Sequence, residues 1–222
     1  MIEEFPEEWG APVFFMSYRR VKAPTQWAAP PRAPGREVGK FFHDLTADVN
    51  ELVGAQPGRD PGYLDVAGSG GAVWQKRLLR AIGTCQVLVC LLSEPYLRDS
   101  PWCAREWDSF ARRRVLPRTK DAEPDQTAIV PVIWTPMTGR LPDLVAEVGL
   151  FIPTDLPEHA FEAAYLNYGL LGLIRTGQDR EYRTIVWKLA MHVARIHHLY
   201  RVEPGIPDGI EGLRTTFECR GE

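Results

Sequence analysis

Seven residues at positions 86–92, Gln-Val-Leu-Val-Cys-Leu-Leu, show no alternation of apolar and polar side chains. A strand with one face in solvent alternates, so this run predicts a strand that is covered on both faces. Strands of that kind belong to parallel sheets, whose crossover connections are usually helices. The run therefore predicts an α/β fold, in which helices cover both sides of a parallel sheet.

Segments with strand-like and helix-like patterns alternate along most of the chain. Besides the run at 86–92, short β-branched and aromatic runs predict strands at 12–18, 63–66, 128–134 and 150–152. Apolar residues spaced three and four apart predict helices at 38–53, 72–83, 102–113, 159–175 and 180–199. This alternation predicts a central parallel sheet of five strands with right-handed crossovers.

Length and composition fit one domain with additions. The chain has 222 residues, of which 45% are hydrophobic and 25% are charged, as in an ordinary globular protein. We assign the domain to 11–200 and an N-terminal extension to 1–10. Within the domain, a proline-rich insert at 22–35 follows the first strand, because its prolines are incompatible with a helix or a central strand. The Gly- and Pro-rich stretch at 201–222 is predicted to be a loosely attached tail.

Charge and residue usage argue against several classes of partner. A net charge of −3 gives no basic field for nucleic acid. No apolar run approaches the ~20 residues of a membrane span, and the acidic N-terminus lacks the basic and apolar regions of a signal peptide. We therefore expect a cytoplasmic protein with no nucleic-acid or membrane partner. The four cysteines and five histidines lack metal-ligand spacing, so we predict no metal site.

Polar stretches follow the first three predicted strands, at 17–20, 65–71 and 93–106. Ligands of parallel sheets bind beyond the carboxyl ends of the strands, so we expect these stretches to converge on one crevice. Three known types of functional site do not match the residues of this crevice. The chain lacks a phosphate-binding glycine-lysine loop, and Gly68-Ser69-Gly70 lacks the spacing of a nucleophilic serine turn. The acidic strand ends of a response-regulator receiver are also absent.

Trp102 and Glu106 are the pair in this crevice that points most directly to chemistry. Ser100 and Pro101 form a good helix start, and residues four apart on the helix that follows lie side by side. A carboxylate beside an indole in such a crevice can be partly desolvated, which raises its pKa. The alternative is a Trp102 packed inward beside a Glu106 that is solvated or pairs with an arginine.

Three motifs together resemble those of TIR (Toll/interleukin-1 receptor) domains. Leu-Leu-Ser-Glu-Pro-Tyr-Leu at 91–97 and Ser-Pro-Trp-Cys-Ala-Arg-Glu at 100–106 are similar to the family's third-strand and WCxxE region. Phe-Phe-Met-Ser-Tyr-Arg-Arg at 14–20 resembles the signature at the end of its first strand. Asp65 corresponds to the Asp before the family's BB loop. The resemblance implies a flavodoxin-like fold with strand order 2-1-3-4-5. Residues 165–173 and 182–196 resemble bacterial TIR-like proteins of the FxsC type, found beside radical-SAM peptide-maturation systems.

The resemblance implies a role for individual residues. In the TIR domains that cleave the nicotinamide–ribose bond of NAD+, the glutamate of the WxxxE motif is catalytic, and Glu106 matches it. A close carboxylate would stabilise the oxocarbenium-like ribose that forms when nicotinamide leaves. The other candidate substrate-binding residues are Ser17, Tyr18, Arg19, Arg20, Asp65, Trp74, Ser93 and Trp102. A tryptophan would stack on a base and one arginine would pair with the pyrophosphate. Their alternatives are structural: core packing, solvated cations, turn hydrogen bonds and a loop brace.

The leading hypothesis is thus an NAD+ glycohydrolase of bacterial signalling or defence, with NAD+ as substrate and no cofactor. The alternative is a non-enzymatic TIR adaptor that binds another TIR-domain protein, since many members of the family are scaffolds. A third hypothesis is an N-ribosyl transferase acting on a nucleoside, because that chemistry needs a similar carboxylate. Family enzymes build their active sites at protomer contacts, which implies self-association here.

Overall fold

The structure, a computed structural model, describes residues 11–20, 35–54, 60–66, 71–120, 122–123 and 126–218. Its strands are β1 (Phe14–Ser17), β2 (Gly62–Leu64), β3 (Val87–Leu92), β4 (Val115–Pro117), β5 (Ile129–Ile133) and β6 (Tyr200–Val202). Its helices are α1 (Arg36–Val53), α2 (Ala72–Thr84), α3 (Glu94–Arg98), α4 (Pro101–Ala111), α5 (Asp143–Val148), α6 (His159–Thr176) and α7 (Asp179–Leu199). The predicted extension at 1–10, and nearly all of the insert at 22–35 and the loop at 67–71, lie outside the described residues. Within the described ranges, no helix combines the length and apolar character that crossing a bilayer requires.

Four parallel strands form the central sheet, in the order β2-β1-β3-β5. Every residue of β1, β3 and β5 is buried, as the unbroken apolar run of β3 predicts. The flanking helices pack in two groups, α1 with α6 and α7, and α2 with α4. The predicted α/β class with a parallel sheet flanked by helices is confirmed.

The predicted fifth strand at 150–152 does not form. Its one backbone hydrogen bond to β5 runs from the Phe151 N–H to the Pro131 carbonyl, at 2.8 Å. Pro131 has no N–H to return, so the ladder cannot continue on this side. The Ile129 N–H instead donates to the Thr127 hydroxyl and the Ile133 N–H to the Tyr165 hydroxyl. Within the described residues, β5 is therefore an edge strand of a four-stranded sheet.

Gly169 divides α6 into two helical segments, where the sequence predicts one helix over 159–175. Its φ is +62°, and a Cβ atom at this position would lie 2.6 Å from the Trp134 carbonyl oxygen. The Leu171 N–H donates to that same carbonyl at 3.0 Å. This close approach, which only glycine allows, fixes the second half of α6 against the end of β5.

The chain returns to the domain after α7. β6 pairs antiparallel with β4, although the sequence patterns predict no strand in either segment. The guanidinium group of Arg113, a residue only 8% exposed, donates to the Ile82 carbonyl at 2.8 Å and to the Glu203 carbonyl at 3.0 Å. One arginine thereby ties the segment after β6 to the end of α2.

Phe217 anchors the last part of the described chain. It is 1% exposed, with its ring 5.5 Å from that of Tyr96 and 5.6 Å from that of Trp107. Val202 and Leu213 are also buried. Residues 201–218 are thus attached along their length, which differs from the loose tail predicted. Composition misses this attachment because the anchors are single apolar residues, far apart and without a helical or strand repeat.

Candidate functional site

The carboxyl ends of β1, β2 and β3 lie side by side and carry the polar stretches. Ser17 is the last residue of β1 and pairs in register with Cys90, while Met16 pairs with Leu64, so Asp65 lies next to Ser17 across the sheet. After β3, the Ser93 hydroxyl accepts from the Tyr96 N–H and caps α3. Ser100 caps α4 in the same way, directly before Pro101.

Glu106 is held by a hydrogen bond from the end of β1. The Ser17 hydroxyl donates to Oε2 of Glu106 at 2.5 Å and lies 2.8 Å from the Tyr96 hydroxyl. Burial raises the pKa of Glu106 to about 8, and the charge of Asp65 acts in the same direction. The Ser17 hydrogen bond and the charge of Arg20 act in the opposite direction, toward a lower pKa. Around neutral pH the carboxyl group is therefore largely protonated and becomes ionised when a cation approaches it.

Asp65 organises the neighbouring part of the crevice. It is 6% exposed, forms an ion pair with the Arg20 guanidinium, and accepts from Nε1 of Trp74 at 2.9 and 3.1 Å. Its backbone carbonyl accepts from Arg20 at 2.7 Å and from the Tyr18 hydroxyl at 3.1 Å. One buried carboxylate thus fixes a cation and an indole at the end of β2.

Two tryptophan rings form an aromatic wall beside these polar groups. The rings of Trp74 and Trp102 meet edge to face, with centroids 4.9 Å apart and an interplanar angle of 78°. The Arg20 guanidinium lies 5.7 Å from the Trp74 ring, and that of Arg105 lies 5.0 Å from the Trp102 ring. Both tryptophans are partly buried, and Trp102 lies one helical turn before Glu106.

Most of the predicted site residues come together at this edge, linked by the contacts above: Ser17, Tyr18, Arg20, Asp65, Trp74, Trp102 and Glu106. Ser93 serves as the α3 cap. Arg19 is partly buried, and in the described part of the chain it takes part in none of these contacts. The structural roles given as alternatives above thus apply in part. Asp65 braces the residues around it, and the Trp74 indole donates to it.

Tyr96 and Arg105 belong to the cluster, although sequence reasoning did not single them out. Tyr96 is fully buried, and its hydroxyl reaches Ser17 from the first turn of α3. The signal was available for Tyr96, because the third residue after an N-cap serine is held by that serine. No sequence signal was available for Arg105, because its stacking depends on the orientation of the Trp102 ring.

The cluster is separate from two cavities that the described residues enclose. One, of about 260 Å3, lies between α3 and residues 137–143, and the other, of about 540 Å3, lies along β5. Neither is lined by Glu106, Asp65 or the two tryptophans. Within the described ranges, no three His, Cys, Asp or Glu side chains gather as a metal ion would require.

Comparisons of the chain with models of protein families, with curated proteins and with solved structures give no match. The groups of the site itself therefore indicate its chemistry. They are a partly buried carboxyl group with a raised pKa, two tryptophan rings set edge to face, and an arginine fixed by a buried aspartate. Such a set can bind a planar cationic ligand that also carries an anionic group.

Proposed function

We propose that the protein is a bacterial TIR-domain NAD+ glycohydrolase with a flavodoxin-like fold, acting in signalling or defence. The observation that carries the proposal is the bond from Ser17 to Glu106 at the carboxyl edge of the sheet, beside Trp102. It joins two of the motifs on which the TIR resemblance depends, although they lie 89 residues apart in the chain. The third motif supplies Asp65, which accepts from Trp74 in the same cluster.

The chemistry of nicotinamide release matches a site with one such carboxyl group. In NAD+ the pyridinium nitrogen is positively charged, so when the bond to the ribose C1′ breaks, nicotinamide leaves neutral with the bonding electron pair. No general acid is needed. Positive charge develops on the ribose, and ionised Glu106 stabilises it until water adds to C1′ and releases a proton. The products are nicotinamide and ADP-ribose.

The raised pKa of Glu106 favours this substrate over a neutral one. A carboxyl group that is protonated in the free enzyme becomes ionised when a pyridinium or oxocarbenium charge approaches, because an opposite charge favours the ionised form. The charge interaction then develops where water is largely excluded, where it is strongest. Trp74 and Trp102 offer faces for a flat ring, and Arg20 is the cation for the pyrophosphate, since Asp65 fixes it in place.

Nicotinamide release from NAD+ by the purified protein, measured over a range of protein concentrations, tests the proposal. Glu106→Gln keeps the shape of the protonated side chain, and we expect it to lower the rate by about 10²- to 10³-fold, the loss typical of a key electrostatic group. Glu147→Gln, at an exposed position on α5, is the matched control and should turn over like the wild type.

Three outcomes count against the proposal, and a fourth would extend it. Equal turnover by Glu106→Gln and the wild type would remove Glu106 from catalysis. A wild type that stays inactive when concentrated would favour the TIR adaptor, which would then form a stable complex with a TIR-domain partner. Turnover that rises faster than protein concentration would support self-association as a condition of activity. Release of a base from a nucleoside, with NAD+ untouched, would favour the N-ribosyl transferase.

A further inference from the structure

A cavity lies along the β5 edge of the sheet, where the predicted fifth strand does not form. The cavity of about 540 Å3 runs along the outer edge of β5, between residues 148–155 and α7. Its volume is in the range of small-molecule sites, and it shares no lining residue with the Glu106 cluster. Pro131 lines it and has no backbone donor, so an added strand is a poor occupant of this edge.

One face of α7 supplies the cavity with basic groups. Lys188, His192 and Arg195 lie at positions i, i+4 and i+7, which places their side chains in one row. Asp155 is the one carboxylate in the lining, at an exposed position. Burial and then the charge of Arg195 lower the pKa of His192, which favours its neutral form and leaves Lys188 and Arg195 as the cations of the row. An anion in the cavity would pair with these two cations.

Apolar side chains lie beside the cations, so the cavity offers contacts for an apolar group as well as for an anion. Met191 is 45% exposed and Ile152 is 37% exposed, and both line the cavity. The Phe151 ring also lines it, 5.4 Å from the His192 ring. Exposed apolar side chains next to cations match a ligand that is flat and apolar at one end and negatively charged at the other.

We propose that this cavity binds a nucleoside phosphate, with its phosphate between Lys188 and Arg195 and its base against Met191, Ile152 and Phe151. A free phosphate ion would fill a small part of the space, while a nucleoside alone would leave the cations without a partner. This inference does not depend on the proposed NAD+ cleavage at Glu106. Lys188 and Arg195 lie outside the Glu106 cluster, so their variants should cleave NAD+ at the wild-type rate.

Calorimetric titration of the full chain with three probes tests the inference: adenosine monophosphate, adenosine and inorganic phosphate. We expect saturable binding of adenosine monophosphate with a Kd between about 10 μM and 1 mM, and at least tenfold weaker binding of the other two. Lys188→Gln with Arg195→Gln should weaken the nucleotide by about tenfold or more. Arg201→Gln removes an exposed cation from β6 and is the matched control, with unchanged affinity.

Three results would overturn the inference. The first is no saturable binding of adenosine monophosphate up to about 10 mM, a concentration that corresponds to negligible affinity. The second is equal affinity for the nucleotide and inorganic phosphate, which would remove the role of Met191, Ile152 and Phe151. The third is equal affinity of the double variant and Arg201→Gln, which would place the nucleotide elsewhere. Far-UV circular dichroism of each variant shows that it is folded in the titration.

Discussion

Glu106 and its partners meet from separate elements, whereas the cations beside β5 come from a single helix. Ser17 ends β1, Tyr96 lies on α3 and Glu106 on α4, so their contacts depend on the whole parallel sheet. Lys188, His192 and Arg195 need only the regular turn of α7. The first region is partly buried and hydrogen-bonded within itself, while the second is open and has an excess of positive charge.

In each region, one electrostatic interaction disfavours folding when no ligand is bound, and the two interactions differ in kind. At the Glu106 site, the cost is the ionisation of a partly buried carboxyl group, and a cationic ligand would relieve it. Beside β5, burial and then the charge of Arg195 disfavour the protonated form of His192, and an anionic ligand would offset the effect of Arg195. Variants that remove each cost in the absence of ligand can therefore tell the two regions apart.

After the loss of Glu106 itself, the largest effect is expected at Asp65, tested against Asp108, a second well-buried aspartate. Asp65→Asn removes the charge that fixes Arg20, so we expect kcat/KM for NAD+ to fall about 100-fold, as when a positioning group is lost. Asp108 accepts from Arg112 at 2.6 Å and from the Arg214 N–H at 3.0 Å. Asp108→Asn should therefore lower the free energy of unfolding without changing kcat/KM. Equal losses of activity in folded samples of both variants would break the assignment.

A smaller effect, in stability, is expected from Glu106→Gln. The pKa of Glu106 is about 8 in the folded chain and about 4.5 when unfolded, so folding favours the protonated form. The stability that this residue contributes is complete below pH 4.5 and is lost as the pH rises through about 8. Glutamine stays neutral, so the variant should match the wild type near pH 4. At pH 8.5 it should exceed the wild type by about 2–3 kcal/mol, because solvent screens part of the cost of ionising a partly exposed side chain.

Urea unfolding at several pH values measures this difference. Glu147→Gln is the control again, because an exposed glutamate should give no pH-dependent gain. A Glu106→Gln variant with the same advantage at pH 4 and pH 8.5 would show that the gain is not due to ionisation. Such a result would contradict the description of Glu106 as a carboxyl group kept neutral by burial.

How much could be predicted from the sequence differs between the two regions. The apolar run of β3 predicts the sheet, and motif order predicts that Ser17, Asp65 and Glu106 share one edge, because strand order alone sets that placement. Sequence reasoning missed the cavity beside β5 for a physical reason. It depends on a strand that fails to form, and Pro131 decides this through the N–H that it lacks. The apolar residues at 150–152 do not themselves indicate that the neighbouring strand lacks a backbone N–H at Pro131.

Removing the Ser17 hydroxyl should shift the pH dependence of activity by about one pH unit. Its hydrogen bond lowers the pKa of Glu106, so Ser17→Ala should move the rising limb of kcat/KM to higher pH, while Asp65 and Arg20 still face the carboxyl group. Near pH 7.5 the rate falls by up to about tenfold, and at high pH it recovers. Ser93→Ala removes the α3 cap instead and should leave the midpoint unchanged. An unshifted profile for Ser17→Ala would mean that the hydrogen bond does not tune Glu106.

The smallest effect is expected in the stability of Arg195→Gln. Without ligand, at low salt and at a pH below the pKa of His192, removing the charge of Arg195 should raise the free energy of unfolding by a few tenths of a kcal/mol, because its repulsion of protonated His192, three residues before it, is relieved. In about 1 M NaCl this difference in stability should vanish, because the Debye length falls to about 3 Å. The gain in stability of Glu106→Gln should persist in the same salt, because burial causes it. Saturating adenosine monophosphate should reverse the order, since a ligand stabilises the form that binds it more tightly. Thermal unfolding of Arg195→Gln beside Arg201→Gln resolves these shifts. A variant that is less stable than the wild type at low salt without ligand would show that Arg195 packs rather than repels, and the contrast between the two regions would then fail.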